Sequence, residues 1–464
     1  MVCLVLLDRL VLLMQFGWKY TDHDQTLMWF GAKEMWNGRF HEPHFYGQAY
    51  NSMLEAFLAI PLLSLGLDYP VALPIITSIL CLLPFFLLSN YAKRKWKPIS
   101  ASLILLVPLL LRTEYGMITS MPRGFVTGLA VAGIAFYILS RYSSKISLFA
   151  TGFIIGFAGW LNPNCAPFIL SFLILVIGFE KGIFKKTLFI GTGLIAFAPI
   201  WWWSSNFYKT QPEYLVTKGL NLSFDLNNYL KTIYSWPDYF GSISPLDGGI
   251  GIFIFLAIAT LIYHFFLARD YAAILALAAG TLILLLGMGI GKAHDGFNNV
   301  FYPLSRMGLA LPLVFALGLS RLSLSSKFIP FIGFARIIGF VLHLLQLGYT
   351  VNDQVSSAQE ELVGIIYVEE IAELKTNCTN ILAASDSYSL ILMDWEMLPL
   401  VYGCPCVEND FPSTWLPSGD RRTWLKQWLT PISDTWPPFE DPLQTDPNQQ
   451  IGEYLKKNGY SRRN

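Results

Sequence analysis

Eleven apolar runs follow one another through the first three quarters of this chain: residues 2–17, 70–90, 99–112, 124–140, 146–161, 165–180, 187–203, 249–268, 271–290, 300–320 and 328–348. A helix of roughly 20 apolar residues crosses the hydrocarbon layer of a bilayer. Backbone polar groups find no water there, so only hydrogen-bonded helices or closed barrels persist in it. The runs therefore predict an all-α polytopic membrane protein with about eleven transmembrane helices. Several runs are short, which predicts bundled, tilted or partly re-entrant segments. The stretch 53–67 is also apolar but contains Glu55, Pro61 and Gly66, and is expected to lie at the interface as a helix. Composition agrees: with 54% hydrophobic and only 14% charged residues, 464 residues carry too little charge to coat a soluble domain. Aromatic residues crowd where apolar runs meet polar ones, the pattern of rings anchored at a membrane–water interface. A net charge of zero gives no case for nucleic acid as a partner. The first run leads into Gly17-Trp18-Lys19-Tyr20 rather than a small-residue cleavage site, so no cleavable signal peptide is expected. Asp8-Arg9 inside that run reads as a neutralising pair near the helix start.

Lys and Arg in short loops set the orientation of such a bundle. One alternating set of loops is basic: residues 93–97, Arg141 with Lys145, Lys181 with Lys185 and Lys186, Arg269, and Arg321 with Lys327. All of them fall on one side if 53–67 does not span, which predicts a cytoplasmic N-terminus. Four segments are then external: the first loop 18–69, the loop 112–124, the long loop 204–248 and the tail from 351. Two domains result, a transmembrane module over 1–350 and a soluble external domain over 351–464. The tail is polar, with a candidate helix at 365–374 and candidate strands at 381–384 and 398–401, and is expected to be a small α/β domain. Cys378, Cys404 and Cys406 lie in it, and one disulfide there fits an oxidising compartment. Cys3, Cys81 and Cys165 sit in apolar runs as packing residues.

The chemistry is expected in the first loop. Residues 18–55 hold Asp22, Asp24, Glu34, three histidines, Tyr46, Gln48, Tyr50 and Glu55 within a short distance of the membrane surface. Carboxylates held at such a surface act as general bases toward an acceptor hydroxyl. A second constellation runs from Lys292 through His294, Asp295 and Tyr302 to Arg306. Arg306 stands in an apolar run, where a charge is costly unless it is paired or functional. A guanidinium matches a phosphate bidentately and can steady its developing charge. The alternative is a structural ion pair with Asp295 or Asp24. A third cluster, Arg112-Thr-Glu114-Tyr115 with Met121-Pro-Arg123-Gly124, reads equally as another wall of the site or as snorkelling loop residues. Asn162-Pro-Asn164 reads as a turn, Trp201-Trp-Trp203 as an interface belt, and 236–240 as a sugar or lid segment.

Asp24-Gln25, then Glu34-Met35 and Gly38, resemble the first-loop pattern of the GT-C superfamily, membrane glycosyltransferases of the protein O-mannosyltransferase and aminoarabinose transferase type. The run Tyr46-Gly-Gln48-Ala-Tyr50 leading to Glu55-Ala56 is similar to a segment found in bacterial members. The resemblance covers the loop and the overall topology, about residues 1–350. It implies a GT-C-like catalytic module that moves a sugar from a polyprenyl-phosphate donor to a lipid, glycan or protein acceptor on the outer face of the cytoplasmic membrane. It further implies Asp24 as the base by register, with Asp22 still open because Asp-x-Asp fits either way. Glu34, Tyr46, Gln48, Tyr50, Glu55, Lys292, His294, Tyr302 and Arg306 are the donor-binding candidates. Gln25 stands where the family has a second acid, which questions a paired-carboxylate mechanism. No cofactor is expected, although His23 and the neighbouring acids offer a site for a divalent cation. Two other functions remain open: a transporter or lipid flippase, and a noncatalytic assembly subunit with the tail as its interaction module.

Overall fold

The computed structural model describes residues 1–40, 42–46, 48, 50–95, 97–178, 182–210, 222–245, 248–360, 365–369, 371, 389–394, 415–418 and 421–428. Helix α1 (Val2–Leu12) widens into a π-helical turn at Leu13–Gly17 and delivers the chain to a short strand, β1 (Tyr20–Asp22). Next come α2 (His23–Trp36), α3 (Leu54–Ser64), α4 (Tyr69–Arg94), α5 (Pro98–Leu110), α6 (Thr113–Ile118), α7 (Thr127–Arg141) and α8 (Lys145–Leu161). They are followed by α9 (Ala166–Ile177), α10 (Ile183–Thr210), α11 (Leu226–Tyr234), α12 (Trp236–Phe240), α13 (Phe253–Leu267), α14 (Tyr271–Gly287), α15 (Leu311–Leu319) and α16 (Ile329–Glu360).

Each apolar run of the sequence overlaps one of these helices, but in 300–320 the α-helix covers only Leu311–Leu319, preceded by a 3-10 turn at Leu304–Gly308. The number that cross a bilayer is a separate matter. Three helices, Tyr69–Arg94, Ile183–Thr210 and Ile329–Gln359, are long and apolar enough to cross a membrane. Eight further apolar helical segments have 10–17 residues. At 1.5 Å per residue these cover at most about 25 Å, against a hydrocarbon layer of about 30 Å. Helix α3, at 11 residues, is among the shortest of these and occupies the stretch 53–67 that was expected to be helical.

Four expectations need correction. The first loop is not irregular beyond residue 22, because Asp22 caps α2 by accepting from the Gln25 N–H. The long loop 204–248 is partly helical: α10 continues to Thr210, and α11 and α12 follow. The domain boundary at 350 falls inside α16, whose polar last turns continue the helix to Glu360. Residues 365–367, expected as helix, instead form β2 (Ile365–Tyr367), antiparallel to β1 with Asp22 opposite Ile365. The pairing supplies β1 with hydrogen-bond partners that a lone three-residue strand lacks, and the Tyr20 and Tyr367 rings pack at 5.1 Å. Further on, β3 (Ser389–Asp394), β4 (Trp415–Ser418) and β5 (Arg421–Trp428) form an antiparallel sheet in the order β3-β5-β4. The expected strands at 381–384 and 398–401, and the three tail cysteines, lie outside the described residues.

Close packing relies on glycine where backbones meet. A Cβ at Gly152 of α8 would collide with the Ile190 carbonyl of α10, and one at Gly193 with the Phe149 carbonyl. Bare backbone therefore lets α8 and α10 approach to a distance only small residues permit. A second, smaller apolar cluster of Leu27, Trp29, Phe45, Tyr46, Met53 and Leu73 seats α2 against α3 and α4.

Contacts sort the connections into two ends. Lys97 Nζ donates to the Arg321 carbonyl at 2.5 Å, Arg94 covers the Tyr137 ring, Lys145 covers the Phe189 ring, and Arg321 pairs with Asp270 at 2.9 Å. The basic turns after α4, α7 and α15, and the starts of α8, α10 and α14, thus share one end. The opposite end gathers β1, the turn before α7, the Asn162–Asn164 turn and the segment 291–308.

Candidate functional site

Arg123 is the hub of that second end. Its side chain is only 1% exposed, and its guanidinium pairs with Asp22 and donates to the Phe301 carbonyl. It also lies 3.6 Å from Asp24 Oδ2 and 4.5 Å over the centroid of the Tyr302 ring. Burial alone would make the cation easier to discharge; Asp22 and Asp24 outweigh that and raise its pKa. The snorkelling alternative for Arg123 is therefore overturned: its guanidinium is enclosed and paired inside the protein. The position is fixed by its neighbour: Gly124 adopts φ +74, where a Cβ would press on the Ser52 carbonyl, and its N–H donates to Glu55 Oε2 at 2.7 Å.

The two loop acids differ in exposure. Asp22 has 0% side-chain exposure, and its oxygens take the Gln25 N–H at 3.0 Å, the Gln25 side-chain amide at 2.9 Å and the Arg123 guanidinium. Gln25 thus serves as a donor to Asp22, a role no second acid could fill. Asp24, one step further on α2, keeps 11% side-chain exposure and engages Arg123 and the Tyr302 hydroxyl.

Lys292, in a single 3-10 turn at Gly291–His294, closes the other side. Its Nζ is 2.5 Å from Asp295 Oδ2 and 4.5 Å over the Tyr50 ring, and it feels the charge of Asp24. Burial pulls its pKa below the usual lysine range, with Asp295 and Asp24 opposing and Arg306 adding to the drop. Arg306 is buried, yet its donors go to the carbonyls of Pro303 at 2.9 Å, Lys292 at 3.3 Å and Asp295. These contacts replace the alternative of a side-chain ion pair: Arg306 ties the 292–306 segment into a closed loop through backbone oxygens, its charge still facing Asp295 and Tyr50.

The structure therefore brings together Asp22, Asp24, Tyr50, Lys292, Tyr302 and Arg306 around Arg123. Other candidates stand apart. Glu34 sits ten residues along α2 from Asp24, about 15 Å away by helical rise, and pairs with Arg39 at 3.9 Å. Tyr46 belongs to the apolar cluster under α2. The Gln48 carbonyl accepts from the Tyr208 hydroxyl at 3.3 Å on α10, away from the acids. His294 is committed: Nε2 must donate to the Met288 carbonyl at 2.7 Å, so Nδ1 accepts from the Tyr239 hydroxyl at 2.6 Å. That contact ties α12 to the 291–294 turn, with Phe240 fully enclosed beside Tyr239. Glu55 is fully enclosed too, one oxygen accepting from the Gly124 N–H and the other without a hydrogen-bond partner among the described residues. Burial pushes its carboxyl up to about 8, partly offset by the Gly124 N–H and the Thr77 hydroxyl. It reaches the site only through the 123–124 peptide.

Asn51 and Asn162 were not singled out as site residues from sequence. Asn51 holds φ +64, an uncommon conformation for any residue but glycine. Asn162 Nδ2 donates to Asn51 Oδ1 at 2.5 Å and to the Gly124 carbonyl at 3.1 Å, while His44 Nδ1 lies 3.0 Å from the Asn51 carbonyl. The Asn162–Asn164 turn is thus also a clasp across the segment that presents Arg123. An Asn-Pro-Asn motif directly after an apolar run is the only trace of it in the sequence. Among the described residues, no group of three or more His, Cys, Asp or Glu side chains converges as a metal site would require. No family model, curated protein or solved structure matches this chain.

Proposed function

We propose that this protein is a membrane glycosyltransferase of the GT-C type, moving a sugar from a polyprenyl-phosphate donor to an acceptor hydroxyl. One observation carries the reading. Asp24, the partly open acid of the first loop, shares a buried guanidinium with an enclosed acid and faces a lysine on the opposite segment. In the proposed step the acceptor oxygen attacks the anomeric carbon, the bond from that carbon to the phosphate oxygen breaks, and its electron pair leaves with the phosphate. Asp24 receives the acceptor proton. Lys292, supported by Arg306 behind it, offsets the charge growing on the phosphate. Asp22 and Gln25 hold Arg123, and Arg123 with Tyr302 aims Asp24. On this reading Asp22 and Glu55 are positioning residues that do not touch substrate.

The test is transfer of label from a panel of polyprenyl-phosphate sugars by the full chain in lipid. The expected result is at least one donor whose consumption Asp24→Asn slows by about 10²–10⁴-fold. Transfer and donor hydrolysis both insensitive to Asp24 remove the proposal.

A second reading, a transporter or lipid flippase, has one observation in its favour. Asp8 of α1 and His343 of α16 meet at 3.0 Å inside the helical bundle, where titratable groups commonly serve ion or proton movement. Under that reading Asp8→Asn stops movement of labelled lipid across a vesicle wall and Asp24→Asn does not.

A further inference from the structure

The basic end of the bundle presents cations without carboxylate partners among the described residues. Among the described residues its carboxylate is Asp270, already paired with Arg321. Arg94, Arg141 and Lys145 are exposed and have no carboxylate partner among the described residues. Two of these cations converge on one ring. Arg94 lies 5.0 Å from the Tyr137 centroid and Arg141 5.8 Å from it, with Arg141 Nη1 donating to the Tyr137 hydroxyl at 2.6 Å. Arg141 also lies 5.4 Å from the Tyr142 ring, and Lys145 lies 5.8 Å from the Phe189 ring of α10. Aromatic faces hold the guanidiniums in place at this seam of α4, α7 and α8, while most of their donors stay open. Like charges gathered this way repel unless an anion sits between them.

The surroundings say which anion. The apolar surface of the bundle begins immediately beside the cluster: Ile146 is 81% exposed and Phe184 82%. A ligand here meets cations at one level and bare aliphatic surface at the next, the profile of a phospholipid whose phosphate lies at the rim and whose chains run along the helices. Inorganic phosphate would use only the first.

We propose that Arg94 and Arg141 around Tyr137, with Lys145 beside them, form a binding site for the phosphate of an anionic phospholipid headgroup. The site lies at the opposite end from Asp24, so it is independent of the transfer reaction. The test uses the full chain, purified from vesicles of equal parts phosphatidylglycerol and phosphatidylcholine, with retained lipid counted by native mass spectrometry. Wild type is expected to retain phosphatidylglycerol in preference, to lose the preference in high salt, and to keep it in millimolar inorganic phosphate. Arg94→Gln with Arg141→Gln is expected to weaken that lipid by about thirtyfold. Arg94→Lys with Arg141→Lys, which keeps the charge, is expected to keep most of the preference and separates a binding defect from a folding one. The proposal is overturned if both lipids are retained equally, if the preference survives the double glutamine change, or if inorganic phosphate abolishes it.

Discussion

At the residue scale, the site depends on one buried arginine between two unequal acids. Removing one partner of an enclosed ion pair leaves the other charge uncompensated and costs about 3–5 kcal/mol. Arg123→Gln should therefore lower the melting temperature markedly, and adding Asp22→Asn should recover part of the loss; simple additivity of the two changes would contradict the pairing. Glu55 gives a pH signature. Its carboxyl is raised to about 8 in the folded chain, so the folded state holds a proton that the unfolded state releases near 4.5. Its contribution to stability is present below the unfolded value and is lost as pH rises toward 8, on the order of 3–5 kcal/mol in total. Thermal melts between pH 5 and 8 should show a steeper decline for wild type than for Glu55→Gln, and parallel slopes would remove this account. The acids of the first loop were legible as a cluster because they follow an apolar run directly. Which acid is enclosed was not legible, because Arg123 arrives from a Pro-Arg-Gly segment about a hundred residues away whose burial leaves no mark in sequence.

At the element scale, apolar runs located the helices, since burial or lipid contact demands apolarity over a whole helix. Helix α2 escaped because its residues are mixed. Its signal was Asp22 followed three residues later by Gln25, the capping-box spacing, with Gln25 donating both its N–H and its side-chain amide to the Asp22 carboxylate. The β1–β2 pair and the Asp8–His343 contact escaped because they join distant segments, 335 residues apart in the second case. The Asp8-Arg9 pair expected within α1 is divided: Arg9 donates to the Gly116 carbonyl at 2.8 Å and to Thr119 at 3.2 Å on α6, while Asp8 reaches α16. Cysteines at Tyr20 and Tyr367, directly opposite in register, should form a disulfide under mild oxidation. Failure to cross-link would show that the strands do not pair.

At the scale of the whole molecule, alternation of basic and basic-poor connections was readable as a list of loops, and contacts between helix ends bring them to opposite ends of the bundle. In a chain stripped of its six native cysteines, one introduced at Asp68 should react with a membrane-impermeant reagent in intact cells and one at Lys95 should not. The reverse pattern would invert the orientation on which an external reaction depends. The two acids separate in one experiment: initial rate of sugar transfer together with melting temperature, for Asp24→Asn and Asp22→Asn side by side. Asp24→Asn should lose about 10²–10⁴-fold in rate with little change in melting temperature, whereas Asp22→Asn should mainly destabilise. Transfer at the wild-type rate by Asp24→Asn would contradict the role of Asp24 as base.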